Sequence, residues 1–231
     1  VKAARTKSPL LIVAGLGALA AAWIGPLPRA AEGAFTAHMS MHMLNVAIAA
    51  PLLALGLAGT RCDPTPAAPW LFAVIPASIA ELLIVWAWHA PAPHHLARTG
   101  ALGLVAEQGT FLLSGLWVWL SAFGGGAAFG GRTGGETRDR GRSAAGVIGL
   151  LLTSMHMTLL GALLALAPRA VYPHHDGFDL PGWGPLTALQ DQHLGGAVML
   201  VIGGAAYLAG GLALATDLLS PPSSPATPPP A

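Results

Sequence analysis

Residues 36–58 read "TAHMSMHMLNVAIAAPLLALGLA". The run contains no Asp, Glu, Lys or Arg, and it is long enough to cross a hydrocarbon core, which takes ~20 residues of helix. A helix this long and this apolar belongs in a bilayer rather than on a soluble domain. Its start is different in character: His38, Met39, Met41, His42 and Met43 fall within six positions. Either this is a metal-binding face at the mouth of a span, or it is a polar fringe on an apolar helix.

The rest of the chain repeats the pattern. Of 231 residues, 54% are apolar and 9% charged, with a mean hydropathy of +0.62. A soluble domain carries roughly a quarter of its residues as charges, so the expected fold class is all-α, a polytopic transmembrane helix bundle. Six spans are predicted, at about 9–25, 36–58, 69–90, 101–123, 144–167 and 192–216, forming one domain over 1–219. The tail, 220–231, is Pro-rich and is expected to be disordered, and the Gly- and Arg-rich loop 124–143 flexible. The first segment is read as a retained helix, although its basic flank and the following "GPLPRAAEGA" also fit a cleaved secretory signal. A net charge of +1 with no continuous basic patch argues against a nucleic-acid partner; the lipid bilayer is the expected surroundings. Cys62 is the only cysteine, so bound metal has to be held by His, Met or carboxylate.

Cations set the expected orientation. Lys2, Arg5 and Lys7 precede the first segment, and Arg132, Arg138, Arg140 and Arg142 fill the fourth connection, whereas Arg29, Arg61, Arg98 and Arg169 stand one to a loop. The positive-inside rule then puts both termini and the Gly-rich loop in the cytoplasm. On that topology eight of the nine histidines lie at or near the outer face. The ninth, His156, lies roughly 18 Å deeper at 1.5 Å per residue. His94, His95, His174 and His175 are read as ordinary residues of an outer surface. Histidines and carboxylates within the spans are functional candidates, because a polar group in hydrocarbon needs a partner.

His38 and His42 are spaced i, i+4, which stacks them on one helix face. A second island, Met155, His156 and Met157, occurs in the fifth segment. Imidazole with thioether suits Cu(I), but Met is also ordinary helix filler. Glu81, Glu107, Gln108, Asp191 and His193 complete the polar set near the outer half of the bundle.

Several stretches, in order, resemble the integral-membrane CtaG-type cytochrome c oxidase assembly factors: "HMSMHMLNVAIAAPLLALG", "VWAWHAPAPHHLA", "AEQGTFLLSGLWVW", "LLGALLALAPRAVYP" and "LQDQHLGGAVMLVIGG". The resemblance implies a non-enzymatic protein of the bacterial inner membrane. It implies that this protein handles copper near the outer face for the copper-bearing subunit of the oxidase, alongside other copper chaperones. The family's paired histidines fall on His38 and His42, its outer-loop histidine on His89 and its Asp on Asp191. Gln108 stands where the family usually has His, His193 where a second Gln is usual, and six spans are counted where about seven are common. The expected ligand set for Cu(I) is His42, His38, His156, His193 and His89 with Met41, Met155 and Met157, supported by Glu81, Glu107, Gln108 and Asp191. The rival readings are a b-type cytochrome with His42 and His156 or His193 on haem, an ion or proton path through Glu81 and Glu107, and a metal-free scaffold.

Overall fold

The computed structural model describes residues 2–124, 136–172, 179–180 and 184–219. Its order is α1 (Lys2–Trp23), α2 (Leu27–Gly33), α3 (Phe35–Met43), a π-helical segment (Leu44–Ala49), α4 (Ala50–Leu57), α5 (Val74–Trp88), α6 (Pro91–Thr99), α7 (Ala101–Phe123) and α8 (Glu136–Ala165). Then come α9 (Ala188–Val198), a second π-helical segment (Met199–Gly203) and α10 (Gly204–Leu219). The strands among the described residues are a two-residue antiparallel ladder, Asp179–Leu180 against Gly184–Pro185. The tail 220–231 and most of the 124–143 loop lie outside the described residues.

Among the described residues, four continuous helices are long and apolar enough to cross a membrane: Phe35–Leu57, Ala101–Phe123, Arg140–Ala165 and Ala188–Thr216. Two bent pairs make six if each counts as one span: Pro9–Trp23 with Leu27–Gly33, bent by 44°, and Val74–Trp88 with Pro91–Thr99, bent by 74°. Leu83, Leu102, Leu113, Ile148, Leu163 and Leu212 all point outward. Such an apolar exterior suits lipid, where helices satisfy their own backbone hydrogen bonds.

The opening stretch forms the central helix: its window is 61% buried, against 33–44% for the other three. Its α3 portion packs on α2 and α9, its π segment on α1 and α7, and α4 on α1 and α7. Helix α5 lies between α7 and α8, and α8 packs along α9, the second π segment and α10. Glycine sets a close crossing between α8 and the last helix: a Cβ on Gly161 would lie 2.6 Å from Leu200 N, and one on Gly196 2.5 Å from Ala165 N. Small residues of this kind let membrane helices approach backbone to backbone.

The predicted spans need three local corrections. The third begins at Val74 rather than 69, after Ala73 in extended conformation. The last begins at Ala188 rather than 192, because Thr187 and Gln190 form a reciprocal capping box. Residues 91–99, expected as loop, form α6: Pro91 occupies the first turn, where its missing N–H costs nothing. Arg98 ties this helix back onto α2 by donating to Ala31 O at 2.6 Å and to Glu32 O. The corner into α7 requires Gly103, since a Cβ there would lie 2.3 Å from Leu96 O. At the opposite end of α7, Arg142 donates to Gly124 O at 3.1 Å. The start of α3, the end of α5 and the start of α7 therefore share one end of the bundle, and the Arg-rich loop leaves from the other.

Candidate metal centre

Helix geometry puts His38 and His42 on one face of α3, with ring centroids 4.3 Å apart. The facing helix, α7, presents Glu107 to both. His38 Nε2 lies 3.3 Å from Glu107 Oε1 and 3.2 Å from Oε2, and His42 Nε2 lies 3.7 Å from Oε1. One ligand atom from each of the three falls within 4.8 Å of the others, and all three residues are buried. His42 Nε2 has no hydrogen-bond partner. Two imidazoles and one carboxylate on a dry helix interface can hold a cation, and a monovalent one would neutralise the carboxylate.

Gln108, next to Glu107, orients His42. Its amide Nε2 donates to His42 Nδ1 at 2.7 Å, while its Oε1 accepts from Asn45 Nδ2 at 2.6 Å. With Nδ1 accepting, a neutral His42 carries its proton on Nε2, toward Glu107. Asn45 Oδ1 has no hydrogen-bond partner. If both amides turn over, His42 Nδ1–H donates to Gln108 Oε1, Gln108 donates to Asn45 Oδ1, and the His42 Nε2 lone pair is released for a metal. The turn would also bring Gln108 Oε1 toward Glu107 Oε2, now 3.4 Å from Gln108 Nε2. Two facing acceptors need a cation or proton between them, so the amide turn and metal entry favour each other.

Two more histidines close the rim. The His89 ring lies 5.7 Å from that of His42. Its Nδ1–H donates to Val85 O at 2.7 Å, leaving a buried Nε2 with no hydrogen-bond partner. That backbone bond fixes the ring in the tautomer a metal ligand needs. His94, expected to be an ordinary outer-surface residue, is instead buried 5.0 Å from the His38 ring and 4.1 Å from Tyr172. Tyr172 stacks on Phe35 at 4.9 Å and donates to His89 O at 2.5 Å. Burial, with the Glu107 charge second, raises the Tyr172 phenol above its ordinary range, so it stays a donor. The signal for His94 was Pro91 after an extended Ala90, a helix start that folds the following turns back over the bundle.

The other expected residues go elsewhere. Asp191 is a cap for a foreign helix: α3 has no side-chain cap of its own, and Asp191 accepts from Phe35 N at 2.6 Å, Thr36 N at 3.0 Å and Thr36 Oγ1 at 2.5 Å. Its neighbours bind the linker after α8, Gln192 through Val171 N at 2.6 Å and His193 Nε2 through Ala167 O at 2.8 Å. His193 is thus occupied as a donor to backbone. Glu81 is buried and accepts from Tyr207 on α10. His156 is buried with neither ring nitrogen hydrogen-bonded. Met155 is 59% exposed on the outward face of α8, and Met41 is buried against Ala22, Ala31 and Leu27 on the α1–α2 side. Neither thioether joins the histidine cluster. Met157 lines a small cavity beside His42 and His89. His95 is exposed, and His174 and His175 lie outside the described residues.

No curated protein and no solved structure was found to match this chain. A family match does exist, to the cytochrome c oxidase caa3 assembly factors, and it runs over residues 4–220. That span includes every helix bearing the buried histidines and Glu107, and the chain belongs to the cytochrome c oxidase caa3 assembly factor family.

Proposed function

We propose that this protein binds copper between α3 and α7, on His38, His42 and Glu107 with His89 and His94 at the rim, and passes it to the copper-bearing subunit of cytochrome c oxidase. The observation that carries the reading is the approach of the Glu107 carboxylate to two imidazoles inside an apolar bundle. A buried carboxylate is costly without a counter-charge, and here the groups within 4 Å that can supply one also bind metal. The cluster lies at the bundle end remote from the Arg-rich loop, which the positive-inside rule assigns to the outer face. No catalytic turnover is required: the chain's residues hold, orient and release an ion. Gln108 and Asn45 set the His42 tautomer. Tyr172 and Phe35 keep water from the rim. Few donors, drawn from two helices, give a site that can exchange its ion with a partner.

The test is copper content per chain after purification in detergent without added metal, measured beside the His38→Ala/His42→Ala double variant and Glu107→Gln. Near-stoichiometric copper in the native chain, lost in the double variant and reduced in Glu107→Gln, is expected. Equal copper in all three would overturn the proposal, and a Soret band from the native protein would replace it with a haem site.

A further inference from the structure

Beneath the histidine cluster lies a cavity lined by His42, His89, Met43, Met157 and Met199. Its free volume is about 10 Å³, which is room for roughly one atom-sized sphere. The donors come from four places in the chain: α3, the turn after α5, α8 and the start of the second π segment. All three methionines are at most 2% exposed. Met43 and Met157 meet over Gly203, where an added Cβ would lie 3.3 Å from Met43 Sδ and 3.6 Å from Met157 Cβ. The other walls, Val46, Val85 and Phe111, are apolar, so no oxygen ligand faces the cavity.

Two features point to an occupant. First, His89 Nε2 lacks a hydrogen-bond partner, and its Nδ1–H is engaged by Val85 O, so a lone pair is held in a dry wall. A buried acceptor without a partner costs roughly 1–3 kcal/mol, and nothing hydrogen-bonding lines the cavity to offset it except His42, whose Nε2 also lacks a partner. Second, Met43 immediately precedes one π segment and Met199 opens the other. π-Helical turns in otherwise regular helices recur at functional sites, and here both occur beside the same cavity.

We infer that this cavity is a second metal site, an inner chamber for one soft monovalent cation of the Cu(I) class, held by His89 with Met43, Met157 and Met199 and reached through His42. It rests on the proposed copper function and divides it into two stations. The outer one, with its carboxylate, is a nitrogen and oxygen site; the inner one, rich in thioether, selects soft ions and excludes hard ones. His42 stands at both, so an ion moves inward or outward by exchanging Glu107 for thioether sulfur while one imidazole stays bound. Three of the six methionines, Met43, Met157 and Met199, are gathered here, one layer below the outer cluster.

The experiment loads the full-length protein in detergent with Cu(I) under anaerobic conditions, then measures copper per chain and the X-ray absorption spectrum at the copper edge. The variants are Met157→Leu/Met199→Leu, close in volume to the native side chains, and His38→Ala/Glu107→Gln. Two ions per native chain are expected, with sulfur scattering. The Met variant should fall to one ion and lose the sulfur shell, and the outer variant should fall to one ion and keep it. Native protein without a sulfur shell would overturn the chamber, whether or not the Met variant folds. So would a Met variant that keeps both ions. An outer variant that keeps two ions would instead overturn the outer station and leave the chamber standing.

Discussion

Asp191 tests whether the centre is built by helix docking. Its carboxylate accepts three hydrogen bonds from the first turn of α3, two of them from backbone N–H groups that no intrahelical acceptor can reach. Phe35 is fully buried, so in Asp191→Ala its N–H finds no water and costs roughly 1–3 kcal/mol. Thr36 is partly exposed, and its hydroxyl can still donate to the backbone O of residue 191, 2.9 Å away, so only its N–H bond is lost, at about 1 kcal/mol. The expected loss is therefore about 3 kcal/mol. Asp191→Asn can keep one oxygen on Thr36 and forfeit only the Phe35 bond, for about 2 kcal/mol. His38 follows Phe35 by one turn, so α3 undocking also loosens the histidine cluster, but only in proportion to lost stability. The assay is unfolding in detergent micelles, with copper content read on the same samples, and a double-mutant cycle of Asp191→Asn with Thr36→Val. Losses in the order Ala, then Asn, with copper retained by whatever fraction stays folded, and a coupling above about 0.5 kcal/mol, are expected. If Asp191→Ala unfolds like the native chain, or if Asp191→Asn keeps its stability and loses its copper, the docking argument fails and Asp191 is a ligand.

Two further outcomes follow from the same geometry. Gln108→Leu removes the partner of His42 Nδ1 and of Asn45, and should weaken copper binding by roughly 10- to 100-fold at a modest cost in stability; competition with a chromogenic Cu(I) chelator measures it, and unchanged affinity would remove Gln108 from the site. His156→Leu replaces a buried imidazole whose nitrogens make no hydrogen bond, and should leave copper content unchanged while raising stability by about 1–2 kcal/mol; elemental analysis with thermal unfolding checks it, and loss of an ion would restore His156 to the ligand set.

Much of this architecture was legible because it is local. A charge-free run such as 36–58 declares a span by its length, and an i, i+4 pair such as His38 and His42 must share a face of any helix that contains it. Other local signals lie in Pro91, which starts α6 and with it the burial of His94, and in Thr187 with Gln190, which cap the start of the last helix. The grouping of the methionines could not be read this way. Met41 and Met43 are two residues apart on the chain, yet one packs toward α1–α2 and the other lines the inner chamber. Met155 and Met157 divide in the same manner between the outward face and the cavity.

Residues alone specify an all-helical membrane bundle, lead the positive-inside rule to put most of its histidines at the end opposite the arginine-rich loop, and set His38 and His42 on one helix face. These follow from bilayer thickness, charge and helix pitch, which need no partner segment. Helix packing brings Glu107, 69 residues from His38, into the cluster, makes Asp191 a cap, and collects Met43, Met157 and Met199 one layer below. Those facts depend on the rotation and approach of one helix against another. Contacts such as Gly161 on Gly196, Arg98 on α2 and Asp191 on α3 set both, and no periodicity within a single helix encodes them.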